Sequence, residues 1–279
     1  MQSLVPLLEH PGLLARKAVG RLRRRFTKLP ESPVVKLING TIRFEFARQP
    51  FLDDEDLRAM LTGSYDLILC DYLKRRLSPG DVVLDVGANV GYVSAVAASC
   101  AGTTGEVHGF EPLPVCFERL RVLSALNPQY RFVFNNVALG DREDVLPISY
   151  DPNGQSRNAT LVPGERTGVT VQVPVRRLDD YIRDHVYTPE RIKLIKIDVE
   201  GFEFPVLRGL ERFLAGSSHR PLIVCEIKPW EVERLGFAIG DFDQYMKSFG
   251  YDSYDMVSQN RRIDLSKLAD MEVVQFRAH

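Results

Sequence analysis

The sequence predicts a doubly wound α/β domain around a mostly parallel sheet, preceded by a basic helix and a small β-hairpin. From residue 82 onward, short apolar runs typical of buried strands alternate with longer segments of helical periodicity. Alternation of this kind indicates a parallel sheet with helices on both faces. With 279 residues, 44% of them hydrophobic and 26% charged, the chain has enough apolar material for a sizeable core.

The individual elements follow from these runs and from the glycine and proline residues that bound them. Predicted strands lie at 82–86, 106–110, 132–139, 193–197 and 222–227. Predicted helices lie at 53–61, 65–77, 90–101, 115–126, 203–214 and 241–249, and another begins near residue 178. A hairpin is expected to pair 145–150 with 169–175. Two closing strands, at 251–257 and 272–276, have no clear helix between them, which predicts an antiparallel edge pair.

The first 64 residues differ from the rest of the chain. Apolar residues recur every four positions among many arginines and lysines between 13 and 29, which predicts a basic amphipathic helix; they are Leu14, Ala18, Leu22 and Phe26. Four interpretations of this helix remain open: peripheral membrane contact, docking to an anionic partner, a transit peptide, and packing on the main domain. Asn39-Gly40 predicts a tight hairpin turn. We expect an extension at 1–33, a hairpin and helical cap at 34–64, and one domain at 65–279.

Composition excludes several classes of protein. The net charge is −1, so no global positive field predicts a nucleic-acid partner. The four cysteines lack metal-ligand spacing and indicate reduced thiols in a reducing compartment. No apolar stretch reaches the ~20 residues that span a bilayer, and the chain lacks the basic start of a signal peptide. We therefore expect a cytoplasmic protein, peripheral at the membrane if the basic helix binds lipid.

A glycine-rich turn after the first strand carries the clearest functional signal. The run Val82–Gly91 places Gly87 and Gly91 between a buried strand and a helix, where backbone N–H groups suit a carboxylate. The middle glycine of a dinucleotide fingerprint is absent. Asp85, two residues before the turn, would repel a pyrophosphate but can hold an ammonium group directly or through water. The predicted ligand therefore carries both a carboxylate and an ammonium group.

A second acid, Glu111, follows the second strand. An acid at this place can accept hydrogen bonds from both hydroxyls of a ribose, and its distance from the glycine turn is about the ~20 residues expected for that role. Either acid could instead have a structural role, Asp85 as a cap of the turn and Glu111 as a charge at a helix start. The two acids around one glycine turn favour a ligand such as S-adenosylmethionine.

Four motifs in order resemble the FkbM family of S-adenosylmethionine-dependent methyltransferases. They are D-V-G-A-N-V-G from Asp85, F-E-P at 110–112, N-V-A-L-G-D from Asn136 and K-I-D-V-E-G-F-E at 196–203. The resemblance implies a Rossmann-like sheet of seven strands with the last antiparallel. It also implies S-adenosylmethionine as cofactor, bound by Asp85, Gly87, Asn89, Gly91 and Glu111, with Asn136 and Ala138 beside the adenine. Phe202 stands where many members have a histidine, so that histidine's role does not carry over.

Three carboxylates are the candidates for chemistry on the acceptor. Asp198 ends the fourth strand and is the preferred base or orienting group, with Glu226 as second choice and Glu200 in the turn between them. Together they could also hold Mg²⁺, which the sequence leaves undecided. Trp230 and Tyr65 are expected to line the substrate pocket.

The predicted reaction is O-methylation of a hydroxyl on a sugar, a glycolipid or a polyketide-like small molecule. A protein or other nitrogen nucleophile is an alternative acceptor, although the Asn/Asp-Pro-Pro-aromatic motif of nucleic-acid N-methyltransferases is absent after the fourth strand. A Rossmann-type NAD-dependent oxidoreductase is a third, disfavoured alternative. The oligomeric state is left open.

Overall fold

The computed structural model describes residues 11–151 and 168–278 of the chain. Within this described part, seven strands form the main sheet. In chain order they are β3 (Val82–Val86), β4 (Glu106–Phe110), β5 (Arg131–Asn135), β9 (Ile192–Ile197), β10 (Leu222–Ile227), β11 (Tyr251–Asp255) and β12 (Glu272–Ala278). Their spatial order across the sheet is β11-β12-β10-β9-β3-β4-β5. Only β12 runs antiparallel to its two neighbours, β10 and β11. The predicted sheet with an antiparallel last strand is thus confirmed.

Helices cover both faces of this sheet. They are α1 (Pro11–Phe26), α2 (Asp54–Leu61), α3 (Leu67–Arg76), α4 (Tyr92–Ala101), α5 (Pro114–Leu126), α6 (Leu178–His185), α7 (Glu203–Arg208), α8 (Glu211–Gly216), α9 (Pro229–Arg234) and α10 (Ile239–Ser248). Two hydrophobic clusters of buried side chains separate the helices from the strands, one on each face. The central strands β3 and β9 are almost wholly apolar because both of their faces are buried.

The predicted hairpin at the start of the domain is confirmed as β1 (Val34–Ile38) and β2 (Ile42–Phe46), joined by Asn39 and Gly40. Both turn residues have positive φ, 49° and 75°, as a tight hairpin turn requires. The side chains of Phe44 and Phe46 belong to the same hydrophobic cluster as α4. The proposed division at residues 33 and 64 stays a prediction.

The predicted third strand, 132–139, is wrong as one element. β5 ends at Asn135, and residues Ala138–Leu139 form a separate short strand, β6, in a second sheet. The side chain of Asn136 donates hydrogen bonds to the carbonyls of Glu111 and Pro112, at 2.8 and 3.0 Å, and so turns the chain out of the main sheet. In the second sheet, β8 (Val169–Arg176) pairs with β6 and with β7 (Asp144–Tyr150), which confirms the inserted hairpin. Most of the loop between β7 and β8 lies outside the described residues.

The predicted helix 203–214 is two helices, α7 and α8, which meet at Gly209 and Leu210. A Cβ on Gly209 would lie 2.0 Å from the carbonyl oxygen of Gly140, so only glycine permits this close approach. Helix α9, directly after β10, was not predicted.

Helix α1 packs on the domain through the side that carries Arg16, Gly20 and Arg24, and not through its apolar stripe. Arg16 forms an ion pair with Asp71, and the Nε atom of Arg24 lies 2.7 Å from the carboxylate of Glu55. Gly20 is the one buried residue of this helix, and a Cβ there would lie 2.8 Å from Cβ of Ser64. The stripe of the sequence prediction therefore does not pack on the domain as a whole, since Leu22 and Phe26 are 60% and 75% exposed.

Among the described residues, no helix has the combination of length and apolar character needed to cross a bilayer. The cytoplasmic location stays a prediction.

Candidate active site

One cavity of about 450 Å³ opens at the edge of the sheet where the parallel strands end. Ligands of open α/β sheets bind at this edge, at the point where the strand order reverses, which here lies between β3 and β9. The cavity is lined by residues after four strands and by the region between α2 and α3, including Gly87, Ala88, Asn89, Glu111, Val137, Ala138, Lys196, Asp198, Glu200, Glu226, Tyr65 and Asp66.

The glycine turn forms one wall of the cavity. Gly87, Asn89 and Gly91 have positive φ values of 78°, 49° and 85°. A Cβ on Gly87 would lie 1.9 Å from the carbonyl oxygen of Asp198, so the turn can lie against the end of β9 only with glycine there. Gly91 offers no side chain to cap α4, which leaves first-turn N–H groups of this helix available to a ligand. Tyr92 and Val93, in that first turn, line the cavity.

Asp85 lies beneath this turn and does not line the cavity. Its side chain is 1% exposed; it accepts a hydrogen bond of 2.5 Å from Ser94 Oγ and lies 3.1 Å from Nζ of Lys196. These contacts place Asp85 where it can act on the loop. Contact of Asp85 with an ammonium group, directly or through water, stays a prediction.

Lys196 is the residue that joins the turn to the fourth strand. It is 4% exposed, and its Nζ donates a hydrogen bond of 2.6 Å to the carbonyl of Gly87. The same Nζ lies 3.6 Å from the carboxylate of Asp198. Burial alone lowers the pKa of this lysine, but the carboxylates of Asp85 and Asp198 more than compensate and raise it. Lys196 is therefore a buried cation between two acids.

Glu111 faces the cavity with its carboxylate held by the backbone. Its two oxygens accept hydrogen bonds from the N–H groups of Asn89 and Leu113, at 2.8 and 2.9 Å. Burial raises the pKa of this carboxyl to about 7. An ionised carboxylate has about four acceptor sites, so two remain for a diol.

Of the three remaining predicted cofactor residues, one lines the cavity and two lie behind its wall. Ala138 lines the cavity beside Val137. Asn136 lies behind that wall and fixes the loop after β4 through its hydrogen bonds to backbone carbonyls. Gly91 packs against α5, since a Cβ there would lie 2.7 Å from Cδ2 of Leu120.

Three predicted catalytic carboxylates, those of Asp198, Glu200 and Glu226, come together in this cavity, with one oxygen of each within 4.8 Å of the others. The side chain of Asp198 is 37% exposed. Burial first, and the charge of Asp198 second, raise the pKa of Glu200 to about 8 and also raise the pKa of Glu226.

Lys228 joins this acidic cluster, although the sequence analysis gave it no role. Its Nζ forms an ion pair with Glu200 and lies 3.0 Å from the carboxylate of Glu226. The lysine supplies a positive charge at the place considered for Mg²⁺, so a divalent ion there would have to displace it. Glu203, by contrast, is buried and accepts hydrogen bonds of 3.0 Å from the N–H groups of Val199 and Gly201, which is a structural role.

Of the two residues expected to contact substrate, one lies at the cavity. Tyr65 lines it and packs edge-on against Tyr92, with ring centroids 5.4 Å apart. Trp230 is 44% exposed on α9 and is not among the residues that line the cavity, because helix α9 begins directly after Lys228. The substrate roles of both residues stay predictions.

Sequence reasoning missed four polar residues of this region: Lys196, Lys228, Asp66 and Arg24, three of which line the cavity. A signal existed for Lys196, since a lysine in a central strand that is otherwise apolar at its buried positions is unusual unless it is paired. Arg24 and Asp66 come from outside the alternating strands and helices, and no local pattern indicates that they meet the cavity.

The geometry fits a nucleoside attached to an amino acid. Glu111 has acceptor capacity for a ribose diol, and the start of α4 suits a carboxylate. The methyltransferase FkbM domain matches residues 85–253, which is more than half of the chain.

The chain belongs to the FkbM methyltransferase family.

Two relatives carry matching segments. Methyltransferase sdnD of Sordaria araneosa is 32% identical over 159 residues, which are 46% of this chain and 60% of that protein. The 31-O-demethyl-FK506 methyltransferase FkbM of Streptomyces tacrolimicus is 31% identical over 169 residues, 48% of this chain and 61% of that protein. The match thus spans less than two thirds of either relative.

Among solved structures, precorrin-6y C5,15-methyltransferase of Geobacter metallireducens GS-15 superposes with a TM-score of 0.43 at 12% identity, covering 78% of this chain and 89% of that one. A superposition this loose supports no conclusion about activity. FkbM-family membership makes this chain a methyltransferase domain, and it sets the oxidoreductase alternative aside.

Proposed function

We propose that this FkbM-family protein transfers a methyl group from S-adenosylmethionine to a hydroxyl oxygen of a small molecule, namely a sugar, a glycolipid or a polyketide-like compound. The observation that carries the proposal is that Glu111 and the glycine turn line the same cavity as Asp198, Glu200 and Glu226. A donor site and a proton-accepting site in the same enclosed space are what O-methylation requires.

The donor end is assigned from the chemistry of its residues. Glu111 accepts both ribose hydroxyls, and the N-terminus of α4 holds the carboxylate of the amino acid. Asp85 and Lys196 act on the donor indirectly, because their ion pair and the hydrogen bond from Lys196 to the carbonyl of Gly87 fix the course of the turn. S-adenosylmethionine, when bound, supplies an electrophilic methyl group on sulfur.

The acceptor end needs a group that orients the hydroxyl and takes its proton. As the new oxygen–carbon bond forms and the sulfur–carbon bond breaks, the hydroxyl proton passes to a carboxylate, and Asp198 is the one we assign. Lys196, 3.6 Å away, orients this carboxylate. Glu226 and Glu200, whose pKa values are raised, can receive the proton afterwards.

The choice of oxygen over nitrogen is supported by a relative. The name of the Streptomyces tacrolimicus protein specifies methylation at an oxygen of a demethylated FK506. A panel of sugars, glycolipids and polyketide alcohols, each with its matching amine, would test the choice with methyl-labelled S-adenosylmethionine. Label in hydroxyl compounds supports the proposal, whereas label in the amines alone contradicts it.

Asp198→Asn is expected to lower turnover by about 10²–10⁴-fold on the best acceptor of that panel, because the amide cannot take the proton. The affinity for S-adenosylhomocysteine should change little, since the Asp198 carboxylate is assigned to the acceptor hydroxyl and the substitution keeps the size of the side chain. Single-turnover kinetics and isothermal titration measure the two quantities.

The matched control for this variant is Asp184→Asn, at a side chain that is 38% exposed on α6 and does not line the cavity. It should retain normal turnover. Turnover at the wild-type level in Asp198→Asn would remove this residue from the reaction.

A further inference from the structure

We propose that the outward face of α1 docks on the surface of an anionic lipid membrane. The face is the stripe Val19, Leu22 and Phe26, which are 47%, 60% and 75% exposed. Their spacing of i, i+3 and i+7 places them on one side of the helix. We call these three residues the outer stripe.

The orientation of the helix is fixed by its opposite side. Gly20 lies against Ser64, and Arg24 donates a hydrogen bond of 2.9 Å to the hydroxyl of Ser64. Arg16 and Arg24 form ion pairs with Asp71 and Glu55. Since these contacts hold the polar side of α1 inward, the outer stripe is presented to the surroundings in the folded protein.

The charge of α1 identifies the chemistry of the partner. The helix contains six arginine and lysine residues and no aspartate or glutamate. Arg21, Arg23 and Arg25 are exposed beside the outer stripe. Apolar side chains that insert among headgroups, flanked by cations that attract anionic lipids, are the two features of an interfacial helix.

A lipid surface explains this face better than a nucleic acid or an acidic protein. A nucleic-acid site would need cations without a large apolar stripe, because phosphates supply no apolar contact. An anionic membrane surface binds both the cations and the apolar side chains of this face. Arg24, on the inner side of the same helix, lines the cavity, so α1 contributes both to the candidate site and to the proposed membrane surface.

Flotation of the whole chain with lipid vesicles tests this surface. With vesicles of phosphatidylcholine and phosphatidylserine the wild type should float, and with phosphatidylcholine alone it should stay at the bottom. High salt should release it, because salt screens attraction between exposed charges. Arg21→Gln/Arg23→Gln/Arg25→Gln should bind the anionic vesicles about 100-fold more weakly, and Leu22→Glu/Phe26→Glu should not float.

A matched control changes exposed apolar residues elsewhere. Val145→Glu/Tyr187→Glu replaces side chains that are 58% and 91% exposed, and it should float like the wild type. Thermal melting of each variant verifies that it is folded, and S-adenosylhomocysteine binding, which this surface does not touch, should persist in all of them. Wild type that stays at the bottom with anionic vesicles, variants that float as well as wild type, or selective retention of RNA or an acidic peptide instead of vesicles would each overturn the proposal.

Discussion

Lys196→Met is expected to lower the free energy of unfolding by about 3–5 kcal/mol, because it leaves the carboxylate of Asp85 buried without its cation. Asp85 is 1% exposed, so water cannot replace the lost charge. Methionine has a similar length and leaves no large void, and therefore the effect reports on charge and not on packing. Urea denaturation measures it.

The control for this variant lies on the same strand. Lys193 is an exposed residue of β9, and Lys193→Met should change the unfolding free energy by no more than about 0.5 kcal/mol. Adding Asp85→Asn to Lys196→Met should recover part of the loss, because the remaining buried charge is then removed. Equal effects of the two lysine substitutions, or no recovery in the double variant, would show that the buried pair has little importance for stability.

Glu111→Ala is expected to weaken binding of S-adenosylhomocysteine by at least about 100-fold. Each hydrogen bond from a ribose hydroxyl to an ionised carboxylate contributes roughly 1.5–3 kcal/mol, and two are lost together. Isothermal titration gives the two dissociation constants directly. Glu118→Ala, at an exposed glutamate 62% accessible on α5, should bind like the wild type.

The pH dependence of this affinity distinguishes a direct contact from a disturbed loop. The pKa of Glu111 is raised to about 7. Wild-type affinity should therefore rise as the pH increases through that value, because the ionised form accepts both hydroxyls and the protonated form does not. Glu111→Gln should lose this rise. An unchanged pH profile in the glutamine variant would mean that Glu111 serves only to hold Asn89 and Leu113.

The parts of the fold that could be predicted are those in which local pattern and tertiary environment agree. The boundaries of β3, β4 and β10 were predicted to the residue, because glycine, proline or a charged residue stands directly before and directly after each strand. The division of 132–139 could not be predicted, since it depends on a side chain that binds carbonyls 25 residues earlier in the chain. The break at Gly209 likewise depends on a distant backbone carbonyl, that of Gly140.

The candidate site was predictable where residues follow strand ends. Glu111 and Asp198 directly follow strands and Glu226 lies near the end of one, and the parallel sheet brings such residues to one edge. Which of them line the cavity depends on side-chain direction, which the linear pattern does not carry. Asp85 turns to Lys196 beneath the loop, and Trp230 is carried away by α9.

The orientation of α1 shows the same limit on a surface helix. Its periodicity predicts an apolar stripe and a basic side, but an apolar stripe alone favours packing inward. The outcome was decided by Asp71 and Glu55, acids in later helices that bind Arg16 and Arg24 and hold the basic side against the domain.

A crystal structure with S-adenosylhomocysteine soaked or co-crystallised tests the shared cavity most directly. The expected result is the ribose hydroxyls on the Glu111 carboxylate, the amino-acid end at the start of α4, and the sulfur directed toward Asp198. A ligand bound outside this cavity, or inside it with its ribose away from Glu111, would contradict the assignment of donor and acceptor ends.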